Sequence, residues 1–166
     1  MFIVGGAHVA LVLAKFARIL GWHVTLIDPR EAFASQERFP DVDEISGEYP
    51  DKALSEYGLD SNSYVTILSH DPKIDDPALR VVLPSNVPYV GILSSKRSHQ
   101  QRVERLLKAG LSPALLEGIH VPIGINIGAG TPEEIALCIM AEIVAVHSGA
   151  QPSRTVSERN LESDKL

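Results

Sequence analysis

Apolar and polar residues along this chain follow two spacings, one typical of strands and the other of helices. Short apolar runs predict four strands, at 2–4, 23–27, 63–68 and 87–92. Apolar residues three or four positions apart predict four helices, at 8–20, 76–83, 95–109 and 132–146. The alternation of Ile123, Ile125 and Ile127 predicts a further strand at 119–127. The stretch 37–60 is acidic and rich in turn residues, with a weak helical pattern only at 52–57.

This alternation of strands and helices predicts the fold class. Strands that are apolar on both faces indicate a parallel sheet covered on both sides. Right-handed crossovers make it a doubly wound, Rossmann-like α/β fold with three layers, α/β/α. We expect the strand order 3-2-1-4, counted along the chain, which places 63–68 at the edge beyond 23–27. The ligand crevice should follow the carboxyl ends of the strands, between the first strand and the fourth.

Length and composition narrow the class of protein. A chain of 166 residues with 45% hydrophobic residues buries a core without disulfides, and its single cysteine, Cys138, favours a reducing cytoplasm. The net charge of −6 argues against nucleic acid and anionic membranes as partners. We expect no signal peptide, no membrane span and no bound metal. We also expect one domain over 1–147 and a disordered tail over 148–166, which is rich in Ser, Arg and Glu.

A glycine-rich segment follows the first strand and resembles the dinucleotide pattern G-x-G-x-x-G/A. Ala7 stands where the second glycine belongs, and Ala10 takes the helix-packing position. The candidate binding residues of this segment are Gly5, Gly6, Ala7, His8 and Val9. The alternative is that the glycines only form a turn from strand to helix.

Asp28 ends the second strand, 18 positions after Ala10, where the dinucleotide pattern expects an acid that binds a ribose diol. An acid there favours NAD over NADP, although Arg30 weakens that preference. The alternative is a helix cap or a surface carboxylate before Pro29.

Polar residues also follow the third and fourth strands. Ser69, His70 and Asp71 are adjacent, so they cannot form a catalytic triad, and His70 or Asp71 either faces the crevice or belongs to a polar turn. Gly91 lies in the fourth strand. Ser95, Lys96 and Arg97 begin a helix whose N-terminus, with Arg102 nearby, is a candidate anion site. The alternative is a solvated basic face carrying Arg102, Arg105 and Lys108.

The last predicted helix has a clear start and an unusual composition. Thr131 and Glu134 form a capping box, with Pro132 between them at the first helical position. The glycines at 124, 128 and 130 indicate close approach by another element or a ligand. From 135 to 146 the helix is apolar nearly all round, which predicts a homodimer or the docking of a partner chain there.

Six motifs occur in order over residues 1–146. They are Gly-Gly-Ala-His-Val at 5–9, Asp28-Pro29-Arg30, Arg38-Phe39-Pro40, Ser69-His70-Asp71, Tyr89-Val90-Gly91 with Ser95-Lys96-Arg97, and Pro-Ile-Gly-Ile-Asn-Ile-Gly at 122–128 with Thr-Pro-Glu-Glu-Ile-Ala at 131–136. Together they resemble the C-terminal Rossmann domain of the XdhC/CoxI family. The sequence departs from the family pattern at Ala7, Ser69, Ser94 and Asn126.

Members of this family are accessory proteins of molybdenum hydroxylases such as xanthine dehydrogenase and carbon monoxide dehydrogenase. The resemblance implies a cytoplasmic maturation factor that binds the molybdenum cofactor (molybdopterin) or a dinucleotide such as NAD(P). It also implies a partner: a hydroxylase subunit, or a chain carrying the N-terminal domain that full-length members have and this sequence lacks.

Two other functions stay open at the level of sequence. An NAD-dependent oxidoreductase needs a proton donor, and no second group is fixed by sequence beside His8, His70 or His120. A Rossmann scaffold that binds no nucleotide and serves as an interaction module is consistent with Ala7. We expect no catalytic residues and favour the accessory factor.

Overall fold

The computed structural model describes residues 1–150. The strands are β1 (Phe2–Val4), β2 (Thr25–Ile27), β3 (Glu44–Ser46), β4 (Tyr64–Ile67), β5 (Tyr89–Ile92) and β6 (Ile119–His120). The helices are α1 (His8–Ile19), α2 (Pro50–Tyr57), α3 (Pro72–Val82), α4 (Lys96–Lys108), α5 (Pro113–Glu117) and α6 (Pro132–His147), with a 3-10 turn at Glu31–Phe33. The predicted tail over 148–166 lies almost wholly outside the described residues.

The six strands form one sheet in the order β3-β2-β1-β4-β5-β6, and every paired strand is parallel to its neighbour. In the centre of the sheet, Ile3 of β1 lies opposite Leu26 on one side and Thr66 on the other. This arrangement confirms the doubly wound, Rossmann-like α/β fold.

Two apolar cores lie on the two faces of the sheet and establish the three layers. One core joins α1 and α6 to the strand residues that face them, such as Ile3 and Leu26. The other joins α2, α3 and α4 to the alternate strand residues, such as Val4 and Ile27. Since successive strand residues point to opposite faces, this division follows from strands that are apolar on both sides.

The predicted strand order is wrong in one respect. The strand at 63–68 lies beside β1 as β4, and the edge position beyond β2 belongs to β3. β3 is only three residues long and none of them is buried, so it lacks the apolar run that marks a strand. The crevice therefore lies at the carboxyl ends of β1 and β4, because the chain turns to opposite sides of the sheet after these two strands. The sequence prediction had placed it between β1 and the strand at 87–92.

Two other boundaries differ from the sequence prediction. α3 starts one turn before the expected residue 76, because Asp71 caps it and Pro72 takes the first helical position, while Pro77 lies inside. The strand predicted at 119–127 pairs only at Ile119 and His120. Beyond His120 the regular pairing ends, although the N–H of Ile123 still donates to the carbonyl oxygen of Ile92 at 3.3 Å, and Ile123, Ile125 and Ile127 line a cavity.

Within residues 1–150, no helix is long and apolar enough to cross a membrane. The same residues contain no group of three or more His, Cys, Asp or Glu side chains arranged to hold a metal ion.

Candidate functional site

The carboxyl ends of β1 and β4 meet at Gly5 and Ser69. Gly5 adopts a φ of 99°, and a Cβ there would lie 2.5 Å from the backbone nitrogen of Ser69. Both the conformation and the spacing therefore require glycine. Gly5 thus fixes how closely the turn after β1 approaches the loop after β4.

The rest of the glycine-rich segment leads into α1. Gly6 is buried, Ala7 is the N-cap of α1 without a side-chain hydrogen bond, and His8 is exposed at the first helical position. Val9 is buried in the core beneath the helix. A Cβ on Gly6 would overlap the carbonyl oxygen of Phe33, so the 3-10 turn lies directly on this segment.

Asp28 is fully buried at the end of β2 and binds the glycine turn. Its Oδ2 accepts a hydrogen bond of 2.8 Å from the backbone N–H of Gly6. Arg30 binds both oxygens of the same carboxylate, with Nη2 donating to Oδ2 at 2.6 Å and Nε donating to Oδ1 at 2.8 Å. Burial by itself would raise the pKa of Asp28, but the hydrogen bonds from Arg30 and Gly6 outweigh it and lower that pKa below its ordinary value.

Phe33 and Arg38 complete a cover over this part of the crevice. The Arg30 guanidinium lies 4.2 Å from the centre of the Phe33 ring. Arg38 donates to the carbonyl oxygens of Ala32 at 2.8 Å and Gly6 at 3.3 Å. A ribose could reach the carboxylate of Asp28 only after Arg30 had moved away. Sequence reasoning did not identify Phe33 and Arg38 as parts of the site, although Arg38 belongs to a motif of the resemblance.

The residues after β4 play three different parts. Ser69 is buried and donates a hydrogen bond to Asp75 on α3. His70 is exposed and adopts a φ of 61°, a left-handed conformation that is uncommon for a residue other than glycine. Asp71 caps α3, where its Oδ1 accepts a hydrogen bond of 2.9 Å from the backbone N–H of Lys73. Of the three, only His70 is exposed.

A buried ion pair links α3 to α4 behind Ser69. Arg102 donates to Asp75 at 2.8 Å, and the two side chains are 5% and 1% exposed. Burial raises the pKa of Asp75, and the contacts with Ser69 and Arg102 only partly offset it. Among the described residues, Nε and Nη1 of Arg102 and Nδ1 of His99 are buried without a hydrogen-bond partner. Burial of the His99 ring, together with the positive charge of Arg102, lowers the pKa of His99.

This pair corrects two interpretations of the basic helix. Arg102 is neither part of an exposed anion site nor part of a solvated face, because its side chain is buried against Asp75. Arg105 is also paired, with its Nε 2.6 Å from Asp76. The signal that could have revealed these pairs is the position of Asp75 and Asp76 among the apolar residues of α3.

α4 starts after the carboxyl end of β5, the strand next to β4 in the sheet. Ser95 is its N-cap and accepts a hydrogen bond of 3.2 Å from the backbone N–H of Ser98. Lys96 and Arg97 are exposed. Gly91 lies within β5 rather than at its end, and a Cβ there would meet the Ile123 side chain at 2.6 Å. Gly91 thus allows the chain after β6 to pack closely on β5.

A cavity of about 490 Å³ lies beside Lys96, between the loop after β6 and α6. It is lined mainly by apolar side chains, among them Leu93, Ile123, Ile125, Ile127 and Ile135. Cys138 also borders it, and burial raises the pKa of its thiol. Among the predicted site residues, Gly5, Gly6, Asp28 and Arg30 lie together under the cover, whereas Lys96 borders this separate cavity.

Glu142 of α6 holds the wall of this cavity in place. Its Oε2 accepts hydrogen bonds of 2.6 Å from the Tyr89 hydroxyl and 2.8 Å from the backbone N–H of Gly124, and its Oε1 lies 3.2 Å from Nδ1 of His120. Burial of Glu142 would raise its pKa, but the hydrogen bonds from His120, Tyr89 and Gly124 lower it overall. Sequence reasoning did not identify Glu142, which lies in an apolar stretch of the helix.

The family described as XdhC Rossmann domain matches residues 1–143. The chain belongs to this XdhC Rossmann domain family. The crystal structure of a xanthine dehydrogenase from Bacillus halodurans has a TM-score of 0.76 to this chain and 28% identity, over 93% of this chain and 44% of that one. These findings confirm the resemblance that the six motifs indicate.

Two curated relatives carry descriptions that bear on function. One is a probable xanthine dehydrogenase subunit of Bacillus subtilis strain 168, 30% identical over 132 residues, which are 80% of this chain and 38% of that protein. The other is the molybdenum cofactor insertion chaperone PaoD of Escherichia coli K12, 31% identical over 88 residues, which are 53% of this chain and 28% of that protein. The chain thus spans less than half the length of these relatives.

Proposed function

We propose that this chain acts as a maturation factor for a molybdenum hydroxylase such as xanthine or carbon monoxide dehydrogenase. In this role it binds a molybdopterin-type or nucleotide-type ligand at the carboxyl edge of its sheet and contacts the hydroxylase, or a chain that carries the remaining part of the longer relatives. The family match and the description of PaoD as a molybdenum cofactor insertion chaperone support this role. The single cysteine supports action in a reducing compartment such as the cytoplasm.

The hydrogen bonds that Arg30 and Gly6 make to the carboxylate of Asp28 are the structural observation that carries this proposal. A dehydrogenase of this fold uses the acid after β2 to hold the ribose of NAD. Here both oxygens of Asp28 are bonded to Arg30 or Gly6, and the side chain is fully buried. This arrangement favours an accessory factor over hydride transfer, and it leaves NAD or NADP as ligands that need Arg30 to move.

One observation favours an oxidoreductase as the second candidate. His120 and Glu142 lie 3.2 Å apart, as in a pair for general acid and base catalysis. However, the other oxygen of Glu142 binds Tyr89 and Gly124, which gives the carboxylate a structural part in holding α6 to the sheet. A steady decrease in NADH absorbance with an aldehyde or quinone substrate would favour the oxidoreductase.

The maturation role is tested by the small molecules that stay with the native protein. We expect mass spectrometry of the chain, purified from cells that make molybdenum hydroxylases, to reveal molybdopterin or a fragment of it. The matched control is the same purification from cells unable to make molybdopterin. A chain that carries no pterin from either source, and does not co-purify with any hydroxylase subunit, would favour the interaction module.

We also propose that the chain forms a homodimer through α1 and α6. Ile19 at the end of α1 and Leu20 directly after it are 78% and 51% exposed, and Leu137 and Val144 on α6 are 48% and 40% exposed. These side chains surround a shallow groove of about 270 Å³, together with Phe16 and Met140. Exposed apolar patches of this kind are typical of surfaces that contact another protein.

A further inference from the structure

A second cavity lies at the edge of the sheet opposite to Gly5 and Asp28. It occupies about 320 Å³, which is within the range of roughly 300–1,000 Å³ that is typical of ligand pockets. The segments before β2 and β4 meet the end of α6 here, so we call it the amino-edge cavity. The proposed maturation role gives it no part. Its lining residues are Leu20, Gly21, Trp22, Asn62, Tyr64 and His147.

Three aromatic rings form much of the wall of the amino-edge cavity. The ring centre of Trp22 lies 4.8 Å from that of Tyr64 and 5.2 Å from that of His147, with the ring planes at 80° and 68°. The Tyr64 and His147 ring centres are 5.8 Å apart, at 69°. Edge-to-face contacts of this kind are favourable and hold the rings at fixed angles. The cavity therefore presents rigid aromatic surfaces.

A hydrogen bond fixes this aromatic wall to the sheet. The Tyr64 hydroxyl lies 3.0 Å from Nδ1 of His147 and joins the first residue of β4 to the last residue of α6. Tyr64 is buried, whereas Trp22 is half-buried and His147 is exposed, so the rings are anchored on the core side and accessible on the other. A ligand meets a surface that is already formed, which lowers the entropic cost of binding.

The side chains around the amino-edge cavity disfavour a charged ligand. Among the described residues that line it, none is Asp, Glu, Lys or Arg. An anion would find no fixed cation there, and a cation would find no carboxylate to balance its charge. The polar groups in the lining are the amide of Asn62, the indole N–H of Trp22 and the imidazole of His147. They offer hydrogen-bond donors and acceptors to an uncharged ligand.

We propose that the amino-edge cavity binds an uncharged planar heterocycle of the nucleobase class. The ring stacks on the indole of Trp22, because heteroaromatic rings stack on aromatic side chains without any need for charge. The polar edge of the ring binds the side-chain amide of Asn62, which both donates and accepts hydrogen bonds. This binding activity goes beyond the maturation role and lies at the other edge of the sheet from the ligand proposed there.

The fluorescence of Trp22 measures binding in this cavity directly. Trp22 is the only tryptophan in the sequence, so the intrinsic tryptophan signal comes from this place alone. We expect adenine to change the signal along a saturating curve, with a dissociation constant of about 1 mM or tighter for a ligand of this size. Adenosine monophosphate should bind no more tightly than adenine, and tetramethylammonium should leave the signal unchanged, because the cavity is built for an uncharged ring.

Three variants locate the site. Asn62→Ala should weaken adenine binding about fivefold, which corresponds to the loss of one neutral hydrogen bond. Asn126→Ala is the matched control, because Asn126 is also an exposed asparagine but lines the separate cavity beside Lys96. It should leave the affinity within about twofold, as is usual for a surface substitution away from the site. Trp22→Leu should abolish binding in calorimetry, with circular dichroism as the check that this variant is folded.

Three results would overturn this inference. A fluorescence response that grows linearly with adenine and never saturates would mean collision rather than binding. A response to tetramethylammonium in place of adenine would mean a cation site. Binding that is weakened by Asn126→Ala and not by Asn62→Ala would place the heterocycle at the carboxyl edge. The maturation role is judged separately, by whether a hydroxylase receives its cofactor in the presence of this chain.

Discussion

At the scale of single residues, Asp28 illustrates how far the sequence could be interpreted. Its position after β2 predicted an acid that binds a ribose, and this role stays a prediction, while the structure places the carboxylate beside the glycine turn. The sequence could not reveal that Arg30, two residues later, would turn back onto both oxygens of the carboxylate. That contact joins the loop after Pro29 back to the end of β2, and the Phe33 ring centre lies 4.2 Å from the guanidinium carbon.

The lowered pKa of Asp28 predicts how the stability of the protein depends on pH. A carboxyl group whose pKa is lower in the folded state stabilises the fold above its unfolded pKa, about 3.9, and this contribution is lost as the pH falls through the folded value. We expect Asp28→Asn to lower the free energy of unfolding at pH 7 by about 1–3 kcal/mol, with a smaller difference from the parent below pH 4. Urea unfolding at both pH values measures this. A difference that is equally large at pH 3 would exclude the ionised carboxylate as its cause.

Gly6 provides a second test at the residue scale. Gly6→Ala should cost about 1–3 kcal/mol of stability, because the new methyl group must displace the carbonyl oxygen of Phe33. Gly47→Ala is the matched control, since nothing lies within 4 Å of a Cβ there. Thermal unfolding of both variants gives the comparison. Equal melting temperatures would show that the 3-10 turn does not rest on the glycine segment in solution.

At the scale of elements, the sequence predicted those that have a strong local pattern, such as a capping box, and did not predict those that lack one. The capping box of α6 is present as predicted, with the hydroxyl oxygen of Thr131 accepting from the N–H of Glu134 at 3.2 Å and Glu134 accepting from the N–H of Thr131 at 3.0 Å. Local chemistry alone determines such a cap. β3 was not predicted because its pairing with β2 comes from the tertiary fold, and its three residues carry no apolar pattern.

The two ion pairs between α3 and α4 should differ in their effect on stability. Arg102→Ala leaves Asp75 buried without its cation, which is expected to cost about 3–5 kcal/mol. Arg105→Ala removes a similar contact to Asp76, but the Arg105 side chain is 40% exposed and the expected cost is below about 1 kcal/mol. Denaturant unfolding of the two variants measures the difference. If both cost the same, burial does not decide the strength of these pairs.

At the scale of the whole molecule, the parallel sheet and its covered faces followed from the alternation of apolar strands and helices. The site did not follow so directly. The glycine pattern and Asp28 predicted a binding site beside β1. In the structure Phe33 and Arg38 cover the turn at that place. The cavity on the β5 side is formed by residues 122–129 and α6. The alternation of Ile123, Ile125 and Ile127 had instead predicted a strand there. The contacts that form this cavity join residues far apart in sequence, so no local pattern marks them.

The exposed apolar face of α1 and α6 predicts the oligomeric state. We expect the parent chain to be a dimer in light scattering and Leu137→Glu to be a monomer, because an exposed leucine at the centre of an interface would become a buried charge. Glu104→Ala on α4, an exposed residue on the opposite side of the sheet, should leave the dimer intact. A parent chain that is monomeric at high concentration would leave this face for a partner chain and contradict the homodimer.

The most direct test of the maturation role is the molybdenum content of a hydroxylase from the same cells. We expect hydroxylase purified from cells that lack this chain to be folded but largely without molybdenum, with the metal content restored when the parent chain is supplied again. Metal analysis per mole of purified enzyme gives the number for each strain. A hydroxylase that carries its full complement of molybdenum without this chain would contradict the proposed function.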